Sequence, residues 1–505
     1  MDSIEVVSLL DLPDPCLLAV LRCCCSTDLR SLFSAARAHS RLRQAAAVAL
    51  SSISITVNNQ QQIQGLRRYL VLHSSELTSL DVRYAGNDEL SWCALPKGLK
   101  LKNLQLTGFN LQLSDNGDWD NTDSLSEGPS LTQLCLRECN METLGSLYSA
   151  LSNLPSLQHL KLASIGTYAE DYVPHDWDCG SFWPPVLKDL QNLTFLEVGS
   201  MELGYRDSLK PLRHLTNLKS LRLELCRPRG YSITASMLSS MQQLTHLDVA
   251  ASLKLFSRGA RLDFAALTHL PQLQHLRAWV GEMSYTSSEA GDVAAAFLIL
   301  QRLKQLTHLS IMFRGRHPVS AADHAYSALT TSTQLQYLEV SAEDSMRKET
   351  WSQFLPAGRQ LPHLRVLLET ARDDSTNSPW GCADVSRLVS ACPALRQLSV
   401  GGDCSHQQLE PVSRLTGLRQ LAVWVADHLP DDSRPGGWCK PNQPVAEMAT
   451  LAQLTTLQGL TLFTSCGLDY LLALTHLQQL RCIVVRDYHQ DRLKVGGLVA
   501  VDTSW

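Results

Sequence analysis

The chain has 505 residues, with 44 Lys and Arg against 49 Asp and Glu, a formal net charge of −5 and a pI near 6.3. That balance excludes the strong positive field that holds a polyphosphate backbone, so nucleic acid is not expected as a partner. Leu fills 90 positions while aromatic residues supply 6%, the composition of one leucine-built core repeated many times.

The chain opens Met1-Asp2-Ser3-Ile4-Glu5, acidic where a secretory leader is basic, and Asp11 interrupts the short apolar run that follows. No leader is expected. The longest conspicuous apolar run, Val293 to Leu300, is far shorter than the ~20 residues that cross a bilayer, so no membrane partner is expected either. Fifteen scattered cysteines without a CxxC pair, including Cys23-Cys24-Cys25, fit reduced thiols in the cytoplasm or nucleus better than a disulfide framework.

Residues 1–48 read as three short helices: Leu12-Pro13 at a helix start, then Leu17, Val20 and Leu21 at helical spacing, Asp28-Leu29 opening a second helix with Leu32, and a basic third helix around Ala35-Ala36-Arg37. This segment resembles an F-box, the module by which substrate receptors dock on the Skp adaptor of cullin-RING ubiquitin ligases. The resemblance implies that Leu12, Pro13, Leu17, Val20, Leu21, Leu29 and Leu32 face that adaptor. A solenoid also needs its first apolar end covered, so a plain capping module remains the alternative.

From residue 49 to 505 one pattern organises the chain. Ile53 to Val57 alternates as a strand, Gln60 to Leu72 reads as a helix, and L-x-x-L-x-(L/V/I) then recurs from Leu77 to Leu477. About fifteen copies begin at Leu77, Leu101, Leu131, Leu157, Leu193, Leu218, Leu244, Leu273, Leu306, Leu335, Leu364, Leu395, Leu418, Leu457 and Leu477. Three of them end in Ala278, Glu369 and Cys482. Ten copies carry a second apolar residue three positions upstream, from Leu154 and Leu190 to Leu454 and Leu474, often followed by Pro or Thr. Each copy reads helix, turn, short strand, which is the period of a leucine-rich repeat. The expected fold is an α/β leucine-rich-repeat solenoid with a parallel concave sheet and convex helices or turns, preceded by the helical module. Fourth and sixth positions point inward; third, fifth and seventh positions face the concave surface.

On that surface the fifth positions alternate in sign from Lys161 and Glu197 through Arg222, Asp248 and Arg277. Neighbours of opposite sign can pair across ~5 Å and satisfy one another, or wait for a partner. His246, His275 and His308 occupy third positions on consecutive strands, which allows pH sensing or metal binding but also follows from a chain rich in His-Leu steps. Trp279, Trp424 and Phe463 stand at seventh positions beside Val280 and Phe313, where aromatic side chains anchor a protein partner or pack beneath loops.

Three intervals carry insertions: Ser114 to Glu127, Tyr168 to Pro185 and Asp427 to Pro444. The first lacks the spacing of a calcium loop. His175, Asp176, Asp178 and Cys179 in the second make a poor metal set, and Asp403, Cys404 and His406 are read as a turn after the Leu395 copy. No P-loop, GxGxxG, GxSxG or HExxH pattern occurs. No cofactor, metal or catalysis is expected, and the function expected is recruitment of an unknown target protein on the concave face. A leucine-rich-repeat scaffold without a ligase role is the alternative, and a small-molecule pocket beneath the insertions a third.

Overall fold

The computed structural model describes residues 51–72, 77–86, 98–111, 130–141, 150–167, 185–202, 209–226, 232–249, 264–282, 298–314, 326–342, 354–371, 382–404, 406–425, 449–463, 477–486 and 499–502, with scattered positions between them. In the first fifty residues it describes Pro13, Cys16, Leu17, Ala19, Val20, Leu21, His39, Ser40 and Leu42. The chain divides into two compact units, the first comprising residues 1–231, 239–244 and 251–259, the second residues 232–238, 245–250 and 260–505.

In unit 1 the strands Ser52–Val57, Ser79–Tyr84, Asn103–Thr107, Gln133–Arg137, His159–Ala163, Phe195–Glu202 and Ser220–Cys226 pair in chain order, all parallel. The helix Gln60–Leu72 returns the chain between the first two and buries Ile63, Leu66 and Leu70. In unit 2 the strands His246–Asp248, His275–Glu282, His308–Arg314, Tyr337–Ala342, Val366–Ala371, Gln397–Cys404, Gln420–Val425, Gly459–Phe463 and Cys482–Arg486 do the same. A final strand, Val499–Asp502, pairs antiparallel with the Cys482 strand. The fold is a leucine-rich-repeat stack in each unit.

The pattern explains the geometry. At fourth positions Leu104, Leu196, Leu309 and Leu398 are 2% exposed or less, and so are Leu106, Val198, Ile311 and Val400 at sixth positions. A strand alternates faces, so burying these two side chains places the third and fifth on the other side. The upstream apolar residues close each coil: Leu190, Leu270 and Leu361 are fully buried, and their carbonyls accept the N–H of Leu193, Leu273 and Leu364 at 3.0, 3.2 and 3.1 Å. This is a β-turn in which Pro271 and Pro362 hold the second position, where their fixed φ is favourable. At the copy beginning Leu335 the upstream residue is Ser332, buried at 6%. Its hydroxyl donates toward the carbonyls of Lys304 and Leu306 at 3.0 and 2.7 Å, so the polar substitute is satisfied. Successive coils are registered at the strand entry. The carbonyl of Gln274 accepts the N–H groups of both Thr307 and His308, at 2.8 and 3.0 Å, as that of Lys102 does from Thr132 and Gln133.

Two expectations need correction. The last parallel strand does not follow the Leu477 copy: Cys482 is exposed, Ile483 is 5% exposed, and Ile483 and Val485 stand opposite Leu460 and Leu462. Leu474, Leu477 and Leu480 are spaced by three and offer two frames. The frame starting at Leu480 buries an isoleucine where the other would bury a thiol and expose that isoleucine. Asp403 and Cys404 are strand residues opposite Trp424 and Val425, beyond an irregularity after Val400, and His406 begins a short helix. Of the convex helices or turns expected, the described segments are mostly single 3₁₀ turns, such as Lys210–His214 and Phe264–His269, because four to six residues hold one tight turn more readily than a full α-helix. The Cys382–Ala391 helix is the longest of the described convex segments in unit 2.

Unit 1 has a feature that the pattern did not announce. Asn110–Leu111, Asn140–Met141 and Gly166–Thr167 form a second small parallel sheet. The chain turns into it through Gly108, Glu138 and Ser164, all with positive φ (81°, 52° and 53°). Their N–H groups donate to the carbonyls of Arg137, Ala163 and Gly199 at 2.8 to 2.9 Å. A Cβ on Gly108 would lie 3.0 Å from the Tyr84 carbonyl oxygen, so this turn needs glycine, whereas Glu138 and Ser164 accept a conformation costly for L-residues.

Candidate partner-binding faces

Each unit presents one face of third- and fifth-position side chains. In unit 1 a shallow hollow of about 280 Å³ lies over these columns, with Asp81, Asn103, Gln105, Cys135, His159 and Lys161 among its lining. Parallel register places Lys161 opposite Glu197, and they form a 2.5 Å ion pair with side chains 22% and 11% exposed. Asp81 Oδ2 accepts from Ser54 Oγ at 2.9 Å and from Arg83 at 3.2 Å, while Oδ1 is enclosed without a hydrogen-bond partner. The imidazole of His159 stacks on Phe195 at 5.8 Å. Burial pushes the Cys135 thiol up, opposed by Arg137 and Lys161. Arg222 stands exposed on the next strand, opposite Glu197.

In unit 2 the third column begins His246, His275, His308, Tyr337. The three imidazoles stack at centroid distances of 4.0 Å with interplanar angles of 17° and 13°, and Tyr337 continues the stack at 5.7 Å. Thr245 and Thr307 hydroxyls lie 2.8 and 2.9 Å from Nδ1 of His246 and His308. Beside them in the fifth column are Asp248, Arg277, Ser310 and Glu339. Arg277 Nη1 is 3.9 Å from Asp248, a loose pair, and its Nε is enclosed without a partner. Glu339 Oε2 accepts from Ser310 at 2.7 Å and from the Tyr337 hydroxyl at 3.2 Å. Burial, followed by the neighbouring His308 and His246, lowers His275 to about 4. Burial also lowers His246 and His308. Burial and Glu339 push Tyr337 up to about 12.

The fifth-position pairing expected from alternating sign is thus close at Lys161 and Glu197 and loose at Asp248 and Arg277. For the aromatic anchors only backbone placement is described: Trp279 lies opposite Met312, Phe313 opposite Val280, and Trp424 opposite Phe463. The side chains of Trp279, Phe313, Trp424 and Phe463 lie outside the described residues, as do the inserted segments 114–127, 168–184 and 427–444 with His175, Asp176, Asp178 and Cys179.

At the N-terminus, Leu17 and Leu21 are 0% and 1% exposed, whereas Val20 is 38% exposed and Pro13 is exposed. The Leu17 N–H donates to the Pro13 carbonyl at 2.9 Å, a first helical turn. Of the residues that the resemblance assigns to the adaptor, Pro13 and Val20 are therefore those described at the surface. Leu12, Leu29 and Leu32 lie outside the described residues.

Among the described residues no group of three His, Cys, Asp or Glu side chains could hold a metal, and no helix is long and apolar enough to cross a membrane. The buried thiol of Cys392 is pushed up to about 12 by burial, the opposite of what a thiolate nucleophile requires. Cys139 is buried with Sγ 3.2 Å from the Arg137 carbonyl, a packing role.

No family model matches this chain, and no curated protein matches it. Solved structures do. A leucine-rich-repeat protein of Leptospira interrogans is similar at 15% identity, over 84% of this chain and 86% of that one, with a TM-score of 0.37. Internalin C2 of Listeria monocytogenes is similar at 18% identity, over 48% of this chain and 88% of that one, with a TM-score of 0.30. The leucine-rich-repeat assignment rests on the strand register and burial of this chain itself.

Proposed function

We propose that this chain is a non-catalytic protein-binding adaptor. The exposed faces of its strand stacks take a target protein, and the N-terminal helical module holds that target to the Skp adaptor of a cullin-RING ubiquitin ligase in the cytoplasm or nucleus. The observation that carries the binding half is the one-sidedness of the sheets. Fourth and sixth positions are packed shut, while third and fifth positions, with Glu197 and Ser310 the buried exceptions among the described residues, leave rows of polar and aromatic side chains open. Such a surface suits a macromolecule, and the chain would supply proximity and orientation while partner enzymes supply the chemistry.

The ligase half rests on the order of residues from Leu12 to Arg37 and on Val20, an apolar side chain left at the surface of its helix. The burial of Leu17 and Leu21 favours the second reading, in which these helices cap unit 1 and the chain is a scaffold. Titration of the purified full chain against the Skp adaptor separates the two. Micromolar or tighter binding, lost in Val20→Asp and Leu12→Asp while circular dichroism is unchanged, supports the ligase reading. A folded chain that does not bind leaves the scaffold.

A further inference from the structure

We infer that the imidazole ladder His246–His275–His308 is an acid-gated charge switch on the exposed face of unit 2. Neutral and stacked near neutral pH, it takes up protons on acidification, turns the strip around it positive and parts its rings. The inference rests on unit 2 alone and holds whether or not that face takes a protein.

The stack follows from register. Parallel pairing sets equivalent residues about 4.8 Å apart, and the rings have closed to 4.0 Å, which leaves no water between them. Neutral imidazoles tolerate that contact, whereas two adjacent cations at that distance repel with little solvent to screen them. The Thr307 hydroxyl lies 3.2 Å from the Gln274 carbonyl and 2.9 Å from His308 Nδ1. That carbonyl already accepts two backbone N–H groups, so the direction of the Thr307–His308 bond follows the tautomer of the ring, and an incoming proton enters at whichever ring nitrogen lacks one.

The charged and titratable neighbours are Asp248, Arg277 and Glu339 in the adjoining column, Tyr337 at the end of the stack, and Arg365 at the entry of the next strand. Tyr337 keeps its proton throughout the range and donates to Glu339. Asp248 and Glu339 against Arg277 and Arg365 leave these neighbours with no net charge when the imidazoles are neutral. Protons on the two outer imidazoles add two positive charges, and a third on His275 adds another. His246 and His308 are not adjacent and load first; His275, with an imidazole on each side, loads last. A charged His246, two residues from Asp248, competes for the carboxylate that Arg277 holds only loosely at 3.9 Å, so acidification also frees Arg277.

The test is a histidine titration of the full chain, labelled at ring carbon and nitrogen and followed by nuclear magnetic resonance from about pH 8 to pH 4. Resonances are assigned with His246→Gln, His275→Gln and His308→Gln, each checked by circular dichroism. The expected result is stepwise protonation, with the central ring last. Removing His246 or His308 should raise the midpoint of His275 by about half a pH unit, whereas removing His275, still neutral while the outer rings load, should leave theirs nearly unmoved. Independent titration of all three near the ordinary imidazole value of about 6.5, unmoved by loss of a neighbour, would overturn the inference. Should His275→Gln not fold, the His246→Gln arm alone decides it.

Discussion

Units 1 and 2 each have a packed lattice of the same kind and differ in what they write on the other side of it. Leu196 in unit 1 and Leu398 in unit 2 occupy the same fourth position and are both fully buried. One residue along and on the other side of the strand, the fifth column of unit 1 pairs Lys161 with Glu197. The third column of unit 2 instead stacks three imidazoles and a phenol. The lattice constrains two residues in each copy and leaves the intervening ones free, so the two units can carry unrelated surface chemistry on one scaffold.

The most forceful way to probe that equivalence is to cut the lattice at matched points. Leu196→Ala and Leu398→Ala should each cost about 3–5 kcal/mol, read as a fall in urea midpoint; a much smaller loss in one unit would show that its core relaxes where the other does not. Next, Thr330→Val in unit 2 should cost about 1–2 kcal/mol, because the fully buried hydroxyl donates to the Phe354 carbonyl at 2.6 Å and that buried hydrogen bond would be lost. The same denaturation assay checks it.

Acid should then separate the units. All three ladder imidazoles are lowered in the folded state, so between about 6.5 and about 4 the unfolded chain binds more protons than the folded one. Their contribution is fully present above pH 6.5 and is lost as pH falls through that window. Amide exchange should show the His246, His275 and His308 strands losing protection on acidification, and His275→Gln should flatten the dependence. The smallest effect belongs to unit 1: Glu138→Gly should gain about 0.5–1 kcal/mol in thermal unfolding, since glycine accepts the positive φ that glutamate bears at a cost.

Much of the lattice was legible because a leucine at each fixed position reports burial directly. The turn was legible too, because Pro271 and Pro362 can sit only where φ is already suitable. Legibility failed where spacing was degenerate: Leu474, Leu477 and Leu480 fit two frames, and only pairing with Leu460 and Leu462 selects Ile483 and Val485. The second sheet of unit 1 escaped notice because Glu138 and Ser164 take the position that Gly108 would have advertised. On the surfaces the sequence placed His246, His275 and His308 in one column, but stacking depends on side-chain rotamers, which a pattern of letters does not contain. The alternating charges likewise announced neighbours without distinguishing the tight Lys161 pair from the loose Arg277 one.

The antiparallel strand Val499–Asp502 on the Cys482 strand bears on assembly. A parallel stack could in principle grow without limit, because the outer strand of one molecule offers the ladder on which another could polymerise. A short strand running the opposite way occupies that ladder, so another parallel coil cannot add at the Cys482 strand without first displacing it. Mixtures of intact and Val499-truncated chains should therefore differ in their tendency to form fibres.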